Sequence, residues 1–122
     1  MLFVKTYLDK STIDGIGLFA GEDIKKGTKV VDYSPKLDVI LTQEEFGNLR
    51  PGEQESFRHF GYLSKHTGKW HSSFDNIRFC NHSKDPNVKM QGNEYFAIED
   101  IKEGQEIICD YEEFEKLRVD VK

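Results

Sequence analysis

The sequence has little cysteine and no long apolar run, and each scarcity excludes a class of protein. Its 122 residues contain only Cys80 and Cys109, too few for a disulfide framework or for a zinc site built from cysteine alone. No apolar run approaches the roughly 18 residues of a membrane span. The first ten residues are too short and too charged a stretch for a secretory signal. We therefore expect an intracellular protein without a membrane partner.

The chain also lacks an excess of basic residues. Its net charge is -5, and 32% of its residues are charged, which indicates a well-solvated surface. This balance argues against direct nucleic-acid binding as the main activity, but it is compatible with a basic partner such as a lysine-rich peptide. A chain of this length can bury a core of its own, so we interpret residues 1–122 as a single domain.

Short alternating or apolar segments separated by glycine turns predict a mostly β fold with little helix. The expected strands are Met1–Leu8, Lys29–Tyr33, Leu37–Leu41, Val88–Gln91 and Glu94–Ile98. Thr42, followed three residues later by Glu45, has the pattern of a helix capping box. We expect Pro51-Gly52 to end that helix and Gln54–Leu63 to form either a second short helix or an irregular packed segment. A polar loop over Lys65–Ser73 and a partly helical tail at Glu112–Lys122 are also expected.

One segment occurs twice. Phe19–Tyr33 and Phe96–Tyr111 share seven identical residues at a constant offset of 77 positions, and both end in Asp-Tyr. A solenoid needs about three or more repeats, so two copies indicate internal pseudo-symmetry instead.

The densest polar segment is Asn76–Asn87, which reads NIRFCNHSKDPN. Asn, Asp and Ser side chains bind backbone groups in tight turns or hold ligands, and local composition favours the turn. A second candidate is the turn around Gly15 and Gly17, where bare backbone is open to a ligand. It is not a dinucleotide fingerprint, since no third glycine and no helix follow it.

Together these segments resemble the SET domain of protein-lysine methyltransferases. GIGLFA at residues 15–20, NIRFCNHS with Pro86-Asn87, and EIICDY at residues 106–111 match the order and spacing of that family's motifs. The resemblance implies a β-clip fold of several short curved sheets with a C-terminal pseudoknot and few short helices. In size the chain is similar to the minimal SET proteins of viruses and bacteria.

The resemblance implies methyl transfer from S-adenosylmethionine to a lysine ε-amine of a basic protein, such as a histone tail. The sulfonium donor is already electrophilic, so no metal is required. Presenting a neutral lysine at pH 7 costs about 4 to 5 kcal/mol from its reference pKa near 10.4. Desolvation in an apolar channel and the nearby sulfonium charge lower that cost. In-line orientation of the reacting atoms contributes further.

The resemblance also implies the site residues. Tyr111 is the expected active-site tyrosine, and Tyr62 lines the lysine channel. The residues expected at the cofactor are Asp14, Gly15, Ile16, Arg78, Asn81, His82 and Phe114. Cys109 occupies the position where the family usually carries a Phe or Tyr that limits the number of methyl groups added. The smaller cysteine predicts room for di- or trimethylation.

Zinc-binding segments of larger members are not expected within residues 1–122, since Glu112–Lys122 contains no cysteine. The lysine channel is then closed by this tail, by a second copy in a homodimer or by the substrate. Three other interpretations stay open. The first is a non-catalytic binding module of the same fold, and the second is a sugar- or ice-binding β-clip module. A metal site is the third, formed from His59, His66, His71, Cys80 and His82, whose spacing matches no zinc pattern.

Overall fold

The computed structural model describes residues 2–92 and 94–113, and the described part is built mainly from short strands. The strands are β1 (Thr6–Lys10), β2 (Ile16–Ala20), β3 (Lys29–Val31), β4 (Asp38–Leu41), β5 (Tyr62–Leu63), β6 (Trp70–Ser73), β7 (Asn81–His82), β8 (Val88–Gln91), β9 (Glu94–Ala97) and β10 (Ile108–Cys109). The α helices are α1 (Gln43–Gly47) and α2 (Pro51–Phe60), and 3-10 helices cover Asn76–Phe79 and Tyr111–Glu113.

The strands form several small sheets. β1 and β2 make an antiparallel hairpin, and β3-β9-β8 and β4-β6-β5 are three-stranded antiparallel sheets. β10 pairs with β7 in parallel, although 25 residues separate them in the chain between His82 and Ile108. The expected mostly β class with few short helices is confirmed.

The two copies of the repeated segment pack against each other with matched hydrogen bonds. The amide of Gly27 donates to the carbonyl of Ala97, and the amide of Gly104 donates to the carbonyl of Ala20, both at 2.8 Å. Each pair is the image of the other at the 77-residue offset. Gly27 and Gly104 have φ of 90° and 89°, a left-handed conformation that favours glycine. The predicted pseudo-symmetry is therefore confirmed.

A second pair of contacts obeys the same symmetry. The Asp100 carboxylate accepts the amide of Lys26 at 2.8 Å, and the Asp23 carboxylate accepts the amide of Glu103 at 2.9 Å. Each copy thus caps the turn of the other with an aspartate. Side-chain acceptors of this kind satisfy turn amides that no strand would pair.

The helical region differs in part from the prediction. The capping box is present, since Thr42 Oγ1 accepts the amide of Glu45 and the Glu45 carboxylate accepts the amide of Thr42. Pro51 does not simply end a helix, however, because it is the first residue of α2. Proline is tolerated there since its missing amide has no partner in the first helical turn. The second helix is therefore Pro51–Phe60, and Tyr62–Leu63 forms a strand.

Two other boundaries were wrong. The first strand is Thr6–Lys10 instead of Met1–Leu8, because Leu2 forms only an isolated bridge to Val31. The segment expected as a polar loop contains β6, the central strand of its sheet. Its anchor is Trp70, which is buried and stacks on Phe46 at a centroid distance of 4.1 Å.

The main core lies where the repeated units meet β2 and the parallel pair. Its largest fully buried side chains are Leu18, Val30, Val88, Ile101 and Ile107. Leu18 also accepts the amide of Ile107, so the strand that leads to β10 is tied directly to β2. Among the described residues, no helix is long and apolar enough to cross a membrane.

Candidate functional site

The parallel pairing of β7 and β10 joins the two longest sequence motifs. Asn81 lies opposite Ile108 and His82 lies opposite Cys109. The Asn87 side chain supports this pairing by accepting the amide of Ile108 and by donating to the Glu106 carbonyl, both at 2.8 Å. A half-buried amide side chain used in this way replaces a missing strand partner.

Tyr111 lies beside His82, as the resemblance implied. The backbone amide of Tyr111 donates to His82 Nδ1 at 2.9 Å, and the two rings have centroids 5.1 Å apart. The phenol donates to the carbonyl of Cys80 at 2.5 Å. The tyrosine is thus fixed both at its backbone and at its hydroxyl.

The hydrogen bond from Tyr111 determines the form of His82. Nδ1 accepts an amide proton, so it carries no proton of its own, and the ring is the neutral tautomer with hydrogen on Nε2. Asp110 Oδ1 lies 3.6 Å from the same nitrogen. With an unprotonated Nδ1 this contact is no ion pair, and the backbone hydrogen bond is what holds the ring.

Asn81 and His82 form an asparagine–histidine corner beside Tyr111. The side-chain amide of Asn81 joins this corner to the turn after β1. Its Nδ2 donates to the carbonyl of Asp14 at 3.1 Å, lies 3.5 Å from the carbonyl of Ile16, and donates to Glu106 Oε2 at 2.9 Å. The candidates Asp14, Ile16 and Asn81 are therefore brought together. The turn between β1 and β2, predicted at Gly15, is confirmed by the hairpin pairing and by the φ of 45° at that glycine.

The turn presents bare backbone and apolar surface to the outside. A Cβ added at Gly15 would meet no atom within 4 Å, so the space over this glycine is open. Ile13 and Ile16 are 43% and 53% exposed, which is high for large aliphatic side chains. Exposed carbonyls, apolar side chains and the neighbouring Asn81 fit an amphipathic ligand such as a methionine-linked nucleoside.

Tyr62 and Cys109, the two residues predicted at the lysine channel, both belong to the region of the main core. Tyr62 and Tyr111 both pack against the core cluster that contains Cys109 and Tyr95. The Tyr62 ring stacks on His71 with centroids 5.4 Å apart, and burial lowers the pKa of His71. Burial likewise raises the pKa of Tyr95 well above its ordinary value, so its hydroxyl stays protonated at neutral pH.

A cavity of about 340 Å³ lies beside this cluster, lined by His66, Met90, Gly92 and Glu113. Met90 packs against the same core as Tyr111, and Glu113 belongs to the 3-10 helix that begins at Tyr111. Burial raises the pKa of Glu113. The phenol of Tyr111 thus has the asparagine–histidine corner next to it and a cavity at the end of its own short helix.

Two predicted cofactor residues do not join the corner through a described contact. The Arg78 guanidinium lies over the rings of Phe60 and Phe79, at 4.8 and 5.3 Å from their centroids. Its described contacts are therefore aromatic. Phe114 lies outside the described residues.

Sequence reasoning missed Glu106 and Ser11 as members of the site. The Ser11 hydroxyl lies 2.8 and 2.9 Å from the two carboxylate oxygens of Glu106 and accepts the amide of Ile13 at 2.9 Å. Glu106 is the first residue of the EIICDY motif, so its presence there was a usable signal. Ser11 carried no such signal, since it lies 95 positions before its partner in the chain.

The histidines proposed for a metal site have separate environments. His66 Nε2 lies 2.7 Å from the carbonyl of Glu113, and His71 Nε2 lies 2.9 Å from Thr67 Oγ1. Residues 2–92 and 94–113 contain no group of three or more His, Cys, Asp or Glu placed to hold a metal ion.

Residues 15–112 match the family model described as the SET domain. That range includes all three motifs, the asparagine–histidine corner and Tyr111.

Two curated proteins are similar over most of the chain. The "Histone-lysine N-methyltransferase, H3 lysine-36 specific" of Candida glabrata is 30% identical over 115 residues, which is 84% of this chain and 16% of that protein. The "Histone-lysine N-methyltransferase EZH2" of Chaetomium thermophilum is 30% identical over 121 residues, which is 85% of this chain and 8% of that protein. The chain therefore spans a small part of either relative.

Among solved structures, the polycomb complex ctPRC2 in an autoinhibited conformation bound to S-adenosylmethionine is similar with a TM-score of 0.70. The identity is 26%, and the match covers 97% of this chain and 16% of that one.

Proposed function

The chain belongs to the SET-domain family, and from that premise we propose that it transfers a methyl group from S-adenosylmethionine to a lysine amine of a basic protein. The observation that carries the proposal is the corner in which His82 accepts the amide of Tyr111 while the Tyr111 phenol is held by the carbonyl of Cys80. A tyrosine fixed at two points, next to exposed backbone, suits a reaction that depends on alignment.

We assign cofactor binding to the turn and to the asparagine–histidine corner. The exposed backbone of Asp14, Gly15 and Ile16 faces the methionine end, and Asn81 and His82 hold the other side. Bound there, S-adenosylmethionine supplies an electrophilic methyl group on a cationic sulfur. Asn81 fixes the shape of this surface, since its amide bridges from β7 to the turn carbonyls. A neighbouring solved structure is described as bound to S-adenosylmethionine, which supports the assignment. Arg78 and Phe114 remain predictions.

We assign alignment of the lysine amine to Tyr111. Its phenol donates its proton to the carbonyl of Cys80, which fixes the position of the hydroxyl oxygen for an approaching amine. Such an oxygen attracts the ammonium and holds the nitrogen in place. It does not act as the base, because its own proton remains engaged. The lysine loses its proton before transfer, at a cost of about 4 to 5 kcal/mol that an apolar channel lowers.

Tyr62 and Cys109 complete the lysine channel in this proposal. Tyr62 is held in place by stacking on His71, and Cys109 is 2% exposed beneath the corner. A thiol is smaller than a phenol or phenyl ring, so the channel has room for an amine that already carries methyl groups.

The proposed substrate is a lysine-rich protein, with a histone tail as the first candidate. The two curated relatives are named as histone-lysine N-methyltransferases. The net charge of -5 favours the approach of a basic chain. The channel is closed by the tail, by a second copy or by the substrate. Oligomeric state in solution, measured with and without substrate, tests whether a second copy closes it.

Calorimetric titration with S-adenosylmethionine, followed by a radiolabelled methyl assay on a panel of histones and other basic proteins, tests the proposal. Tyr111→Phe keeps the ring and removes the hydroxyl, so it should abolish transfer while cofactor binding persists. Tyr33→Phe is the matched control, since Tyr33 is 42% exposed and lies outside the site. A wild-type protein that binds the cofactor but methylates no protein in the panel would favour the non-catalytic binding module.

A further inference from the structure

Glu106 lies where three segments of the site meet. Its Oε2 accepts Nδ2 of Asn81 at 2.9 Å, and the Ser11 hydroxyl lies within 2.9 Å of both its carboxylate oxygens. Asn81 and Ser11 are also the two side chains that organise the turn carrying Asp14–Ile16. One carboxylate therefore connects the proposed cofactor turn to β7.

The surrounding chain is shaped to admit this carboxylate. A Cβ added at Gly17 would lie 2.4 Å from Glu106 Oε2 and 2.9 Å from its Cδ, distances that real Cβ atoms essentially never show. The absence of a side chain at Gly17 thus creates the space that the carboxylate fills. Asn87 fixes the backbone of Glu106 from the other side by donating to its carbonyl.

Among the residues that the structure describes, the Glu106 carboxylate contacts only neutral hydrogen-bond donors. Ser11 and Asn81 supply its side-chain hydrogen bonds, and within residues 2–92 and 94–113 no Lys, Arg or His forms an ion pair with it. Neutral donors stabilise a carboxylate without cancelling its field. No cation among the described contacts of Glu106 therefore offsets a carboxylate charge next to the surface assigned to the proposed cofactor.

We propose that Glu106 is a positioning residue that sets the Asn81 amide and the Ser11–Ile16 turn, and whose charge makes the site prefer a sulfonium ligand to its neutral thioether. The inference rests on the proposed function. S-adenosylmethionine and the product S-adenosylhomocysteine differ at sulfur by one methyl group and one positive charge. Glu106 therefore favours binding of the cofactor and release of the product.

The test is calorimetric titration of the wild-type chain and Glu106→Gln with S-adenosylmethionine and, separately, with S-adenosylhomocysteine. A unit charge acting over about 10 Å in an effective dielectric of about 20 to 40 changes affinity about 4- to 16-fold. We expect Glu106→Gln to lower the affinity for S-adenosylmethionine by a factor in that range and the affinity for S-adenosylhomocysteine by much less. Glu103→Gln, an exposed glutamate in the neighbouring turn, is the control and should leave the ratio of the two affinities unchanged.

Equal weakening of both ligands, or weakening of neither, would overturn the inference. If Glu106→Gln does not fold, Glu106→Asp decides, because it keeps the charge and lengthens the contacts to Asn81 and Ser11. This variant should bind both ligands more weakly while preserving the ratio of the two affinities. Unchanged affinities for both ligands, or a ratio shifted towards S-adenosylhomocysteine, would contradict the inference. A wild-type chain that binds neither ligand would overturn the proposed function and this inference with it.

Discussion

Gly61 joins α2 to the strand that carries Tyr62, and replacing it with alanine should destabilise the fold. A Cβ at this position would lie 2.5 Å from the carbonyl oxygen of His71 and 2.8 Å from that of Phe57. Both atoms are backbone, and both are held in place, one by the β5–β6 pairing and the other by the hydrogen bond from the Gly61 amide. Neither can move away as the end of a flexible side chain could.

The expected cost of Gly61→Ala is about 1 to 3 kcal/mol, the range for overpacking a fixed environment. At about 4 °C per kcal/mol for a domain of this size, the melting temperature should fall by about 4 to 12 °C. Gly52→Ala is the matched control, because a Cβ there meets no atom within 4 Å and the residue lies in α2. It should be neutral or stabilising by up to about 1 kcal/mol.

Chemical denaturation and thermal melting of the two variants beside the wild-type chain measure the difference. Methyl transfer by Gly61→Ala should also fall at temperatures where the variant is still folded, because Tyr62 follows directly in the chain. A Gly61→Ala variant as stable as Gly52→Ala would refute the reasoning, since it would mean that the α2–β5 junction yields without cost.

Three further predictions concern symmetry, pH and product. Asp23→Ala and Asp100→Ala should each cost about 1 kcal/mol in urea unfolding, because each removes one equivalent turn cap, and a severalfold inequality would contradict the pseudo-symmetry. Burial lowers the folded-state pKa of His71, so as the pH falls the unfolded chain takes up this proton at a higher pH than the folded chain does. Stability should therefore fall as pH drops below about 6.5. Unfolding at pH 7.5 and 5.5 should show a larger loss for the wild type than for His71→Gln, and equal losses would exclude this histidine as a cause. If Cys109 lines the lysine channel as proposed, exhaustive reaction should yield di- or trimethyllysine, and mass spectrometry that detects only monomethyl product would count against the larger channel.

The sequence contained enough local information for the fold class, the capping box and the repeated unit. Thr42 and Glu45 interact within one turn, so their pattern predicts their contact. The constant offset between the two Gly-centred turns likewise predicts equivalent structures. In each of these cases the relevant residues are close in the chain or recognisable as copies.

The errors have a different physical origin. β6 was taken for a loop because most of its side chains are polar, and its strand conformation depends on tertiary pairing with β4 and β5. Pro51 was read as the end of one helix, although proline is equally suited to the first residue of the next. The conformation at such positions depends on the elements that surround them in the fold and not on the local sequence pattern alone.

The site was predictable in its motifs but not in its connections. The family resemblance pointed to Asn81, His82 and Tyr111, and the parallel pairing of β7 and β10 places them together. The Ser11–Glu106 contact joins residues that no periodicity links. From the sequence alone, the Glu106 carboxylate is expected to be a surface group, and only the fold brings Ser11 and Asn81 into contact with it.

The central claim is that the phenol of Tyr111 and the asparagine–histidine corner together form a site of lysine methylation. The most direct measurement is mass spectrometry of a lysine-rich histone substrate incubated with S-adenosylmethionine and either the wild-type chain or Tyr111→Phe. We predict methyllysine with the wild type and none with the variant, at equal cofactor occupancy. Methylation that is undiminished in Tyr111→Phe would contradict the account.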